Sequence, residues 1–207
     1  MTSGGSTPNL IRRATQCWLD LQSSLHTPDF EFTGTENNLR AASTKHPEGG
    51  AMQSILFVCL GNICRSPLAQ GIFEHRATEM GCAREYDADS AGTSGWHEGE
   101  PPHSGSIRIA EKYGISIARQ RSRPVHCKDA EIFHYIIAMD TSNRQSLIEE
   151  FRFPREKVYL MRDFSLKFPE QKGLSVPDPW GQGTDAFEEV FQILDDAITG
   201  FLIEIRK

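Results

Sequence analysis

The stretch SILFVCLGNICRSP, residues 54–67, constrains this chain more than any other. Residues 54–58 form a short apolar run, typical of a strand covered on both faces. A polar turn carrying Gly61 and Asn62 follows. From 67 to 80, Leu68, Ala69 and Ile72 fall on one helical face. A strand that runs straight into a helix is the first half of a βαβ unit, and the chain repeats the alternation. Further strands are predicted at 86–90, 133–139 and 157–161, and helices at 104–113, 142–151 and 185–205. Gly114 is a natural stop for the helix at 104–113. The last helix has the clearest period, with Phe187, Val190, Phe191, Leu194, Ile198, Phe201, Leu202 and Ile205. Such alternation predicts an α/β fold, a parallel sheet with helices on both faces. Ligands of such sheets bind at the carboxyl ends of the strands, where Cys59 falls.

Upstream of Met52 the composition changes. Residues 1–51 are rich in Ser, Thr, Asn and Gly and hold one helix-like stretch, TPNLIRRATQCWLDLQSSL. There Leu10, Ala14, Cys17, Trp18, Leu21 and Leu25 recur at helical spacing. Residues 29–51 show no period and read as a linker. Asp20, Asp29, Glu31 and Glu36 count against a mitochondrial targeting peptide. The expected partition is a non-domain, poorly ordered extension over 1–51 with one amphipathic helix, and a folded domain over 52–207. The formal charge of −6 argues against a broad electrostatic grip on nucleic acid. No apolar run approaches the roughly 18 residues that cross a bilayer, so no membrane partner is expected. The N-terminus lacks the basic and apolar segments of a signal peptide. Five Cys, an odd number spread widely, make no disulfide framework and point to a reducing cytoplasm.

The turn itself carries the chemistry. Gly61 and Asn62 tolerate positive φ, which lets successive N–H groups converge on an anion. The helix start adds donors and a positive dipole end. Arg65 supplies a planar fork that matches two oxygens of a tetraoxyanion. A thiolate at Cys59 beneath a phosphoryl group so held is a nucleophile aimed at phosphorus. Ser66 can donate a hydrogen bond to that sulfur and ease its later departure. Thiolate attack also needs an acid for the leaving oxygen. In VPDPWGQG, residues 176–183, Asp178 sits between two prolines that stiffen its backbone, with Trp180 close by to wall a pocket. By residue type alone, Asp178 is equally a turn former.

From Met52 to the C-terminus the chain resembles the low-molecular-weight protein tyrosine phosphatases. The matching pieces are FVCLGNICRSPLA, DSAGTSGWHEGEPP, ARQ, AMDTSN and VPDPWG, in the family's order. The resemblance implies a three-layer fold around a four-stranded parallel sheet and a two-step hydrolysis of phosphotyrosine and aryl phosphate monoesters. It implies Cys59 as nucleophile, Arg65 as phosphate clamp and Asp178 as acid and then base. Substrate would be held by the loop residues Leu60, Gly61, Asn62, Ile63, Cys64 and Ser66 and by the aromatic pair Trp96 and Trp180. Asn62 would hold the loop, and Cys64 would form a reversible disulfide with Cys59 under oxidation. Asp140 and Asn143 would support the loop; by position, Asp140 reads as a helix N-cap. No cofactor or metal is implied. The expected partners are phosphotyrosine-containing proteins, and the expected state is a monomer or weak dimer.

Trp180-Gly181 stands where many eukaryotic members carry two tyrosines, so that regulation is not expected here. Arsenate reduction on the same fold needs a further pair of Cys after the third strand, and AMDTSNRQSLIEEF has none. Relatives acting on phosphoarginine tend to carry Thr where this chain has Ile63. Zinc would need a second Cys/His pair beside Cys59 and Cys64. A dead phosphate-binding module would lack Cys59, Arg65 or Asp178. The seven His, among them His75, His97, His103 and His126, show no ligand spacing and read as solvated or packed, and Cys82 and Cys127 as bystanders.

Overall fold

The structure, a computed structural model, describes residues 52–207. The partition at Met52 and the helix-like stretch at 7–25 involve residues outside those described. Four parallel strands form one sheet in the order β2-β1-β3-β4: β1 (Gln53–Cys59), β2 (Tyr86–Gly92), β3 (Tyr135–Ala138) and β4 (Val158–Leu160). Among the described residues five α-helices connect and flank them: α1 (Arg65–Glu79), α2 (Ser104–Lys112), α3 (Asp129–Ile132), α4 (Thr141–Glu149) and α5 (Thr184–Ile205).

Strand alternation divides the apolar side chains between two cores. Ile55 and Phe57 of β1 face α1 and α5, where they meet Leu68, Ile72, Phe73, Leu194, Ile198 and Phe201. Leu56 and Val58 point the other way, to Ile136, Ala138, Leu147, Phe151 and Phe153 around α4. Both faces of the sheet are therefore covered, as the unbroken apolar run at 54–58 predicts. Each fully buried Phe or Leu contributes about 1.5–3 kcal/mol relative to exposure.

Element boundaries differ from expectation in instructive places. Helix α1 begins at Arg65 rather than residue 67, because the turn closes on Cys64 as its N-cap. The expected strand over 133–139 shrinks to Tyr135–Ala138, since Phe133 ends the short helix α3 and drops into the second core. Strand β4 is trimmed at both ends by 3-10 turns, Arg155–Lys157 and Met161–Phe164.

The chain leaves β1 toward β2 on one side and returns to β3 on the other. That reversal opens a crevice at the carboxyl ends of β1 and β3. Gly92, at the end of β2, lets the backbone close in there. A Cβ on it would lie 2.8 Å from the Leu60 carbonyl oxygen and 2.9 Å from that of Ser94.

Candidate active site

Cys59 ends β1 and is only 2% exposed. Beyond it, Asn62 takes a left-handed conformation, with φ of 53°. This turn swings the Asn62 N–H back onto Sγ of Cys59, at 3.2 Å. The Asn62 side chain is held at both ends. Its Nδ2 donates to Ser66 Oγ at 2.9 Å, and its Oδ1 accepts the Arg123 N–H at 2.9 Å. Ser66 Oγ lies 3.0 Å from Sγ and 3.4 Å from the Ala91 carbonyl. With its oxygen accepting from Asn62, its one hydroxyl proton has two acceptors in reach, the sulfur and the more distant Ala91 carbonyl.

Arg65, the first residue of α1, is 3% exposed. Its Nη1 donates to Asp140 at 2.7 Å and to the Val176 carbonyl at 3.1 Å, and its Nη2 to Asp178 at 2.8 Å. Its Nε is buried with no partner. Burial alone would lower the guanidinium's pKa, but the Cys59 sulfur and the two carboxylates raise it above the ordinary value. Asp140 does two jobs. One oxygen holds Arg65, and the other caps α4 by accepting the Asn143 N–H at 2.6 Å.

Asp178 arrives on the stiff loop expected of the two prolines. The Val176 N–H anchors that loop to the Met139 carbonyl just past β3, at 2.7 Å. The Asp178 carboxylate is half-exposed and also accepts the Trp180 N–H at 3.2 Å. Cys64 is buried, and its thiol is pushed up to about 12, first by burial and then by the charges of Cys59 and Asp178. It stands as a neutral thiol beside Cys59.

Above these groups opens a cavity of about 300 Å³. Cys59 and Arg65 sit deep, Leu60, Gly61 and Ile63 line it, and Trp96 and Trp180 wall it, 53% and 65% exposed. All eleven residues singled out from sequence for catalysis or binding thus gather at one place, Asn62 and Ser66 from beneath the loop. Three others were not singled out. His97, read as solvated or packed, lines the cavity and packs over Gly61, with Nδ1 2.8 Å from Glu100. Ser122 and Arg123 hold the loop from behind, yet the ARQ piece just before them leaves its Arg119 exposed in solvent. Backbone-mediated contacts of this kind leave no residue pattern to read. Of the remaining His, His103 caps α2, accepting the Gly105 N–H at 3.1 Å.

Comparison with known proteins gives a consistent result. The family model of low molecular weight phosphotyrosine protein phosphatases matches residues 54–207. The Bacillus subtilis low molecular weight protein-tyrosine-phosphatase YfkJ is 43% identical over 157 residues, which covers 75% of this chain and 97% of that protein. The human low molecular weight phosphotyrosine protein phosphatase is 34% identical over 145 residues, covering 69% of this chain and 89% of its own length. Among solved structures, a protein tyrosine phosphatase from Entamoeba histolytica with Hepes in its active site superposes with a TM-score of 0.68 at 35% identity, covering 74% of this chain and 97% of its own. With the family model matched over residues 54–207 and with relatives matched over nearly their whole length, this chain belongs to the low molecular weight phosphotyrosine protein phosphatase family.

Proposed function

We propose that this chain hydrolyses phosphotyrosine and related aryl phosphate monoesters through a cysteinyl-phosphate intermediate. One observation carries the reading: a buried sulfur ringed by hydrogen-bond donors lies in the same cavity as a buried guanidinium whose Nε has no partner. That set suits a tetrahedral dianion, and a dianion in place completes it.

In the first step Sγ of Cys59 attacks phosphorus and the bond to the aryl oxygen breaks. Asp178, protonated, gives its proton to the departing oxygen. In the second, water attacks the S–P bond, Asp178 takes the water's proton, and phosphate leaves. Ser66 donates to the sulfur as it regains its charge. The loop N–H groups, the α1 dipole and Arg65 balance the charge on the phosphoryl oxygens, so no metal is required. Asp178 is tied to Arg65 Nη2 here. A phosphoryl oxygen that takes over Nη2 frees the carboxyl to reach the leaving oxygen. Trp96 and Trp180, which line the cavity, offer aromatic surface to a substrate ring. The substrates this points to are phosphotyrosine-bearing proteins, and a monomer in the cytoplasm suffices for the chemistry. Among the described residues no helix is long and apolar enough to cross a membrane.

Initial rates on phosphotyrosine, phosphoserine and phosphoarginine peptides and on arsenate, with Cys59→Ser as the blank, test the reading. Phosphotyrosine is expected to be the preferred substrate, and the variant to lose turnover while still binding vanadate. A Cys59→Ser protein that keeps more than about a tenth of the rate would overturn the covalent mechanism, since removing a nucleophile costs several kcal/mol.

A further inference from the structure

Behind the phosphate loop runs the segment Ser122-Arg123-Pro124, which belongs to no regular element and contributes only an isolated bridge to Gly92. Pro124 has no N–H to extend a ladder. The segment nevertheless holds several site elements at once. The Arg123 N–H donates to Asn62 Oδ1 at 2.9 Å, and Ser122 Oγ donates to the Gly61 carbonyl at 3.1 Å. The Arg123 carbonyl accepts the Gly92 N–H at 2.9 Å. The Ser122 N–H donates to the Glu100 carbonyl at 2.9 Å, and the Ser122 carbonyl accepts the Gly99 N–H at 2.8 Å. The last two bonds fix the loop that carries Trp96 and His97.

What fixes the segment is its one long side chain. The Arg123 guanidinium bridges two carboxylates, with Nε donating to Asp89 at 2.8 Å and Nη1 to Asp129 at 3.0 Å. Asp89 lies on β2 and buried Asp129 opens α3, where it also accepts the His126 N–H at 2.9 Å. An unbroken chain of short contacts therefore runs from Asp129 through Arg123 and Asn62 to Sγ of Cys59.

We propose that Arg123, braced between Asp89 and Asp129, is a positioning residue that sets both the phosphate loop and the aromatic wall of the cleft. The proposal rests on the hydrolase reading above. Without the brace, the Arg123 N–H moves off Asn62, whose amide then turns away from Ser66. The left-handed turn that aims the Asn62 N–H at the sulfur loses its support. On the other side the Trp96 loop loosens through Ser122.

A double-mutant cycle tests this, with Arg123→Met, Asn62→Ala and their combination assayed on an aryl phosphate. Each single change is expected to lower kcat/KM roughly ten- to a hundredfold, the scale of a small misplacement of reacting groups. The combination is expected to be no worse than the more damaging single change, because both break one link. Arg123→Lys should recover part of the loss, and Asp129→Asn, which keeps the side chain's shape, should act in the same direction more mildly. KM for a bulky aryl ester should rise in Arg123→Met but not in Asn62→Ala. Amide exchange at Gly61 and Asn62, read in the same proteins, should quicken in Arg123→Met while core amides stay protected. That reading needs no turnover, so a wild-type chain inactive on aryl phosphates would strike the hydrolase assignment and leave the brace to be judged by exchange. Effects that multiply in the cycle, or loop amides unchanged in Arg123→Met, would overturn the proposal.

Discussion

Cys59 and Cys64 share one tight loop, yet their surroundings set them apart. Sγ of Cys59 faces the Asn62 N–H and the Ser66 hydroxyl, donors suited to a negative sulfur. Cys64 is held up at about 12 by burial and neighbouring negative charge. Iodoacetate near neutral pH is therefore expected to modify Cys59 and spare Cys64, with peptide mapping as the check. The raised value also has a consequence for stability. Below the unfolded thiol's pKa, near 9.0, both states keep the Cys64 proton and its contribution is fully present. As pH rises from there toward about 12, the unfolded chain loses the proton and the folded one does not, so stability falls. Cys64→Ala should flatten that alkaline limb in urea titrations; an unchanged limb assigns it to other groups. For Asp178, the Asn substitution should slow aryl esters with poor leaving groups far more than those with good ones, which need little protonation. Equal slowing would make Asp178 structural. Cys59, Arg65 and Asp178 were legible in sequence because the proposed reaction calls for their side chains. Arg123 was not, because it meets Asn62 through a backbone N–H that any residue but proline offers.

At the scale of elements, the strand–turn–helix at 54–80 was readable because apolar run, turn residues and helical period agree. Where they disagree, the reading blurred. Phe133 looks like the start of a strand by residue type, but the third dimension gives it to the end of α3 and the second core. Helix α3 has four residues, too few to show a period. The close approach at the end of β2 was equally hidden, since a glycine there reads as any turn. Its backbone contacts make a firm prediction. Gly92→Ala places a methyl 2.8 Å from the Leu60 carbonyl oxygen, with backbone rather than a flexible side chain in the way. The loop between Cys59 and Asn62 must shift. A loss of about 1–3 kcal/mol is expected, together with a fall in kcat/KM. Phe201→Ala, deep in the first core against Phe73 and Phe164, should cost about 3–5 kcal/mol in denaturant and leave kcat/KM of the folded protein alone. The pair separates damage to the site from damage to the fold: if both variants lose activity in proportion to stability, the close approach at Gly92 has no special bearing on the loop.

At the scale of the whole molecule, the family's match begins at residue 54, so activity should not depend on what precedes it. We propose that residues 1–51 are dispensable and that a chain starting at Met52 keeps full turnover. Oxidation is the sharper test, because the extension carries a cysteine of its own, Cys17. Peroxide converts the Cys59 thiolate to a sulfenic acid, releasing hydroxide. Cys64 is then expected to condense with it, forming the S–S bond and releasing water. The neutral Cys64 thiol is by itself a poor partner, since attack needs its thiolate. But the charge on Cys59 is the second-largest cause of its raised value, and oxidation removes that charge. Burial, the largest cause, remains, so the oxidation of Cys59 removes one of the obstacles to a Cys64 thiolate. Mild peroxide should inactivate the enzyme and dithiothreitol restore it, equally in the full chain and in the chain from Met52. Cys64→Ser should leave the sulfenic acid without a partner, so that it passes to the sulfinic acid and recovery falls sharply. Peptide mass mapping of the oxidised protein decides between loop and extension. A Cys59–Cys64 link confirms the loop pair, whereas a dominant Cys17–Cys59 link would make the extension a redox regulator and end the case for its dispensability.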